Sequence, residues 1–138
     1  MDEGLLTRIP GKGTFVASRG SPVHPQLLGI VVPYLRASLT TEMLRGAETV
    51  LHRSGYSLIF CHSDGDLELE RAQFERLKRE GVRGLILFPL AFDGEAAVLS
   101  QAFPEPFPLV LVDRRLPGVA ADAVLADNQA GARHAVEH

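Results

Sequence analysis

Asp113 and Arg114 stand together directly after an apolar run, Leu109–Val112. A carboxylate accepts hydrogen bonds and a guanidinium donates them in a rigid fork. The pair therefore suits a ligand whose hydroxyls do both, such as a sugar. The same two side chains can equally neutralise each other or hold strand-end backbone. Tyr34 and Asp64 follow two other apolar runs and are further ligand candidates, with turn or capping chemistry the competing role for Asp64. Other constellations carry less. His134 and His138 are four apart on a candidate helix, but no third metal ligand accompanies them. Asp64, Asp66, Glu68 and Glu70 alternate like the start of a calcium loop, yet Leu69 stands where that loop needs glycine. Cys61 lacks a His–Asp partner pattern and is expected to pack as a small apolar residue. No nucleophile elbow occurs. The expectation is a protein without catalytic residues, metal or cofactor.

A different chemistry is suggested by "RIPGKGTFV", residues 8–16. A phosphate-binding P-loop places Lys-Ser/Thr directly after its second glycine. Here Gly13 separates Lys12 from Thr14, and the following Thr14-Phe15-Val16 reads as strand, not helix. The stretch is expected to be a β-hairpin, with Leu5–Arg8 as one strand, Pro10–Gly13 as the turn and Thr14–Ala17 as the other strand. Arg8 and Lys12 would then project charge near a turn whose glycines let backbone approach a phosphate closely.

The elements that must position these residues show a regular pattern. Apolar runs at Leu27–Val32, Ser57–Cys61, Gly84–Phe88 and Leu109–Val112 are short and apolar on both faces, as strands of a buried parallel sheet are. Helical patterns separate them. Met43, Leu44, Ala47, Val50 and Leu51 share one helical face, with Thr40 or Thr41 as the expected N-cap. Asp66 is placed to cap a second helix that carries Glu68 and Glu70 in its first turn, Lys78 and Arg79 in its last, and Gly81 just beyond. Gly94–Gln101 reads as a weaker third helix, and Asp127 or Asn128 begins a fourth that runs to His138. Strand–helix repeats of this kind give right-handed crossovers, a parallel sheet and helices on both of its faces. In such sheets ligands bind beyond the carboxyl ends of the strands, which here are Tyr34, His62-Ser63-Asp64, Pro89 and Asp113-Arg114.

Composition bounds the reading. The chain has 138 residues, 46% of them hydrophobic, and a formal net charge of −3, so it is not a basic nucleic-acid coat. One cysteine excludes an internal disulfide. No secretory signal or membrane-length apolar run is evident, and a cytoplasmic location without membrane attachment is expected. Residues 20–26, Gly-Ser-Pro-Val-His-Pro-Gln, have linker chemistry. The abrupt start at Gly4-Leu5-Leu6 and the uncapped last helix read as an interior slice of a longer protein.

"GLLTRIPGKGTFV" resembles the wing of the GntR-type winged helix-turn-helix through Gly4, Leu5, Leu6, Arg8, Gly11, Gly13, Thr14, Phe15 and Val16. That resemblance implies contact with DNA through Arg8, Lys12, Gly13 and Thr14, with the recognition helix lying before residue 1. The remainder is similar to the first half of the LacI/GalR effector domain, a periplasmic-binding-protein type I fold. Matching positions include Gly29, Pro33, Gly46, Gly55, Glu70, Gly81, Gly84, Asp113, Arg114, Asp127 and Asn128. Together the two resemblances imply an arabinose-repressor-like regulator, divided as wing (1–18), linker (19–26) and truncated first lobe (27–138). It would act as a homodimer on DNA and bind a small effector, a carbohydrate, through Tyr34, Asp64, Asp113 and Arg114. One loop departs from the family pattern: Tyr34–Thr40 replaces the usual Asn-Pro-Phe-Phe-like segment, so effector identity does not carry over. A solute-binding component of a sugar transport or sensing system is the alternative. A flavodoxin-like enzyme fragment would need a phosphate loop where Tyr34–Leu39 stands.

Overall fold

Leu6–Ile9 (β1) and Gly13–Val16 (β2) pair antiparallel, with Arg8 opposite Thr14 and Ile9 opposite Gly13. This is the expected hairpin, shifted by one residue at each strand. The computed structural model describes residues 6–9, 13–16, 26–35, 38–90 and 92–137. The turn with Lys12, most of the linker, Arg36, Ala37 and His138 lie outside the described residues.

The main sheet is parallel and has five strands. In chain order they are β3 (Gln26–Val32), β4 (Tyr56–His62), β5 (Leu85–Leu87), β6 (Leu109–Val112) and β7 (Asp122–Val124). Their spatial order is β4-β3-β5-β6-β7. The helices between them are α1 (Ser38–Arg53), α2 (Leu67–Arg79), α3 (Glu95–Ala102) and, after β7, α4 (Asn128–Glu137). The four expected strands are present within a residue or so at each end. β7 was not expected from its sequence. It is three residues long and is defined by its pairing with β6, in which Leu111 faces Ala123.

Side chains alternate across a strand, so the sheet has two apolar faces. Val31, Leu85, Leu87 and Leu111 point to α2 and α3 and meet Phe74, Leu77, Leu99, Ala102 and Phe103. Phe74 and Phe103 make an edge-on aromatic contact with centroids 6.0 Å apart. Gly29 brings α2 close, because a Cβ there would lie 2.8 Å from a Leu77 methyl in this closed core. Ile30, Val32, Phe88, Leu58, Phe60 and Ile86 point the other way, toward Met43 and Leu44 of α1. Cys61 is buried as expected, and burial pushes its thiol up from the ordinary value, which suits packing rather than nucleophilic chemistry.

The helix ends follow local chemistry with one correction. Asp66 caps α2 by accepting from the Leu69 amide at 2.9 Å, and Gly81 follows the helix at φ +72. Asp127 rather than Asn128 caps α4, accepting from Ala130 N at 2.9 Å. Thr40 and Thr41 do not cap α1, which begins at Ser38. Thr40 lies buried in the first turn, and its hydroxyl donates to the Tyr34 carbonyl at 3.3 Å. Its capping-type chemistry instead ties the β3–α1 connection to the helix.

Candidate functional site at the carboxyl edge of the sheet

All four effector candidates fall along one edge of the sheet, where β3, β4 and β6 end. They form two groups. Tyr34 follows β3 and Asp64 follows β4, while Asp113 and Arg114 follow β6 on the far side of β5. With strands spaced about 4.8 Å apart, two or three strand steps, roughly 10–14 Å, separate the groups.

The Tyr34 group is built on a tight turn. Asp64 and Gly65 both have positive φ, +49 and +76, and Asp66 N closes the turn on Ser63 O at 2.8 Å. Two positive φ values in sequence suit Asp-Gly. Glycine is required at 65 for a second reason: the Tyr34 ring lies against it, and a Cβ there would strike the phenol. Tyr34 remains 57% exposed. Asp64 Oδ1 lies 3.3 Å from His62 Nδ1 without hydrogen-bond alignment. Asp64 thus serves the turn first.

The Asp113 group has a different character. Asp113 adopts a left-handed backbone, φ +72, while its amide still donates to Val124 O at 2.9 Å as part of the β6–β7 ladder. Its carboxylate pairs with the Arg114 guanidinium at 3.2 Å, and both side chains are accessible, 38% and 51%. The bland role foreseen for the pair, mutual neutralisation, therefore exists alongside exposure to ligand. Arg114 also lines an open pocket of about 450 Å³ with Phe92, Asp93, Gly94, Arg115 and Leu116. None of these five was a site candidate from the sequence. Phe92 and Asp93 belong to the loop after β5, which the strand-end rule marks only as following Pro89, and Arg115 was hidden behind Arg114 in the sequence. The lining carries Arg114, Arg115 and one aspartate, Asp93, while Asp113 stands outside it and pairs with Arg114. Such a lining offers hydrogen-bond donors and an acceptor beside the apolar ring of Phe92. Among the described residues no three His, Cys, Asp or Glu side chains gather as a metal site.

Beneath the pocket lies a feature that residue types alone did not reveal. Glu70 of α2 and Glu95 of α3 are both fully buried, and their carboxyl groups meet. Glu95 accepts the Leu90 amide at 2.9 Å. Burial first, and then the Glu95 charge and hydrogen bond, push Glu70 up to about 8.

The family model described as periplasmic binding proteins and sugar binding domain of LacI family matches residues 26–138. The chain belongs to that family. It is similar to the HTH-type transcriptional regulator PtxS of Pseudomonas plecoglossicida, 34% identical over 137 residues, 99% of this chain and 39% of the relative. It is also similar to the arabinose metabolism transcriptional repressor of Geobacillus stearothermophilus, 39% identical over 90 residues, 63% of this chain and 24% of the relative. Among solved structures, a putative ribose operon repressor from Burkholderia thailandensis superposes with a TM-score of 0.74 at 31% identity, over 82% of this chain and 42% of that one. The chain therefore spans well under half the length of these relatives, and its fold is that of the periplasmic-binding-protein type I first lobe.

Proposed function

We propose that the chain is the sensing lobe of a DNA-binding transcription regulator, a repressor, which binds a sugar or related small metabolite at the carboxyl edge of its sheet. The observation that carries this reading is Arg114, paired with a left-handed Asp113 at the end of β6 and lining an open pocket. The names of the relatives support a regulator over a transport component. Their arabinose and ribose repressors support a carbohydrate as the ligand class. Effector in the cleft would favour one lobe arrangement, and the linker would pass that preference to the DNA-binding elements of a homodimer in the cytoplasm.

We further propose that the hairpin is the wing of a GntR-type DNA-binding domain, on the resemblance of its sequence. β1 and β2 give the antiparallel frame of a wing, and Arg8, Lys12, Gly13 and Thr14 are the positions proposed to meet DNA phosphate and groove. In the full-length regulator, Lys12→Ala is expected to weaken binding to all duplexes alike and to reduce the salt slope by about one unit. A loss confined to one base position would instead make Lys12 a reader of sequence.

The effector site is tested by isothermal titration of the full-length protein with a panel of neutral monosaccharides. Arg114→Lys keeps the charge but loses the fork, so it should weaken the sugar that binds by about 1–3 kcal/mol while leaving the melting temperature nearly unchanged. Unaltered affinity with a lowered melting temperature would reduce Arg114 to a structural partner of Asp113.

A further inference from the structure

The loop after β5 supplies Phe92 and Asp93 to the pocket, and the Glu95 side chain reaches back to it, accepting the Leu90 amide at 2.9 Å. Glu95 is the first residue of α3, where the helix N-terminus favours a negative charge. Glu70 lies against it from the second helix. Among the described residues neither Glu70 oxygen finds a backbone donor or a basic partner. An ionised Glu70 would be a bare, buried carboxylate beside a second one, whereas a protonated Glu70 has a donor to offer Glu95.

We propose that Glu70 and Glu95 form a one-proton latch that fixes the β5–α3 loop, making Glu70 a positioning residue for the pocket wall opposite Arg114. The proposal rests on the assignment of that pocket as the ligand site. In the latch, the Leu90 amide and the Glu70 carboxyl are both among the donors that Glu95 accepts. When Glu70 loses its proton, two carboxylates face each other with nothing between them, and Glu95 is driven from the loop it holds.

Among the described residues no basic side chain hydrogen-bonds to Glu70. β3 carries no titratable residue, α3 carries only Glu95, and β4 carries Tyr56, Cys61 and His62. The other charged residues of α2, namely Glu68, Arg71, Glu75, Arg76, Lys78 and Arg79, are exposed, although the Arg76 charge reaches the buried Cys61 thiol, and Asp93, Arg114 and Arg115 are exposed along the pocket. Burial and Glu95 account for the shift that brings Glu70 to about 8. The latch therefore opens on the alkaline side of neutrality, before the buried Cys61 thiol, which is raised above 9.0, ionises.

Amide hydrogen exchange of the full chain, corrected for intrinsic rates, reads the latch without any ligand. Between pH 6 and pH 9 the Leu90 amide is expected to lose at least tenfold in protection while far-ultraviolet dichroism stays constant. Glu70→Gln, whose amide can donate to Glu95 at any pH, should keep Leu90 protected throughout. Glu95→Ala should leave it unprotected throughout. Constant protection of Leu90 in the unsubstituted protein, or an unchanged pH profile in Glu70→Gln, would overturn the proposal. If exchange behaves as expected and no monosaccharide binds in titration, the ligand-site assignment fails and the latch stands. Sugar binding with a flat exchange profile would sink the latch and leave the ligand site in place.

Discussion

The two faces of the sheet are built to different standards. On the α2–α3 face, Phe74, Leu77, Leu99, Ala102 and Phe103 are buried against four strands in one continuous core. On the other face the buried apolar cluster among the described residues is Ile30, Val32 and Phe88, and α1 contributes the half-buried Met43 and Leu44. α4 buries nothing, and Val124, Leu125 and Val136 stay exposed. The candidate site divides along the same line. Leu116 and Ala96 root the Arg114 pocket in the well-packed core, whereas Tyr34 sits on the connection to the loosely packed α1. The contrast teaches that Arg114 and Phe92 are held by a rigid face, while Tyr34 depends on a few local contacts with Thr40 and Gly65.

The strongest way to break this asymmetry is to empty the packed face. Phe74→Ala removes a fully buried ring and its edge contact with Phe103, and should cost about 3–5 kcal/mol in denaturant unfolding. Met43→Ala on the other face deletes a half-buried side chain and should cost clearly less. Equal losses would mean that the second face bears as much of the fold as the first.

Proton linkage sharpens the same comparison, because among the described residues the buried acids, Glu70 and Glu95, lie on the packed face. The native state keeps on Glu70 a proton that the unfolded chain releases above its ordinary value of 4.5. The unfolded state thus binds fewer protons across that range. Stability should therefore fall as pH rises from about 4.5 to about 8, by no more than about 1.4 kcal/mol per pH unit for this one proton, and level off above. Glu70→Gln should remove this contribution. Chemical melts at matched ionic strength across pH 5–8 measure it, and an identical pH dependence in the two proteins would deny Glu70 the proton.

Glu70 also marks where sequence reading stops. Its place in the first turn of α2 was legible, and an acid there suits the helix dipole. Its burial was not, because that depends on Glu95, 25 residues further on in the chain, arriving from another helix. β7 was missed for a related reason. Asp122-Ala123-Val124 has no apolar period of its own and becomes a strand only through its register with Val110–Val112. By contrast, β3, β4, β5 and β6 announced themselves by two-sided apolar runs that burial on both faces demands. Thr40 was legible as a residue that bonds backbone, but its partner at Tyr34 depended on where α1 begins. At the site, the strand-end rule located Tyr34, Asp64 and Asp113-Arg114 correctly on one edge. The grouping of Arg114 with Phe92 rather than with Tyr34 follows from strand order, in which β5 lies between β3 and β6.

The smallest expected effect separates the faces most cleanly, because it uses the same bond twice. Asp66 and Asp127 each accept one amide three residues on, both at 2.9 Å. Locally the two caps are equivalent, and each is worth about 1 kcal/mol to its own helix. What differs is how the helix is coupled to the rest. α2 buries Phe74 and Leu77, so it cannot fray without opening the core, and Asp66→Ala should lower global stability by nearly the whole of that amount. α4 has ten residues and none buried, and an isolated helix of that length is marginal in water. Its opening is a local event with its own small free energy. Asp127→Ala should therefore speed amide exchange within α4 severalfold while shifting the global unfolding free energy by less than about 0.5 kcal/mol. A loss for Asp127→Ala equal to that for Asp66→Ala in the same denaturant series would show α4 to be coupled to the sheet as tightly as α2, and the difference between the faces would disappear.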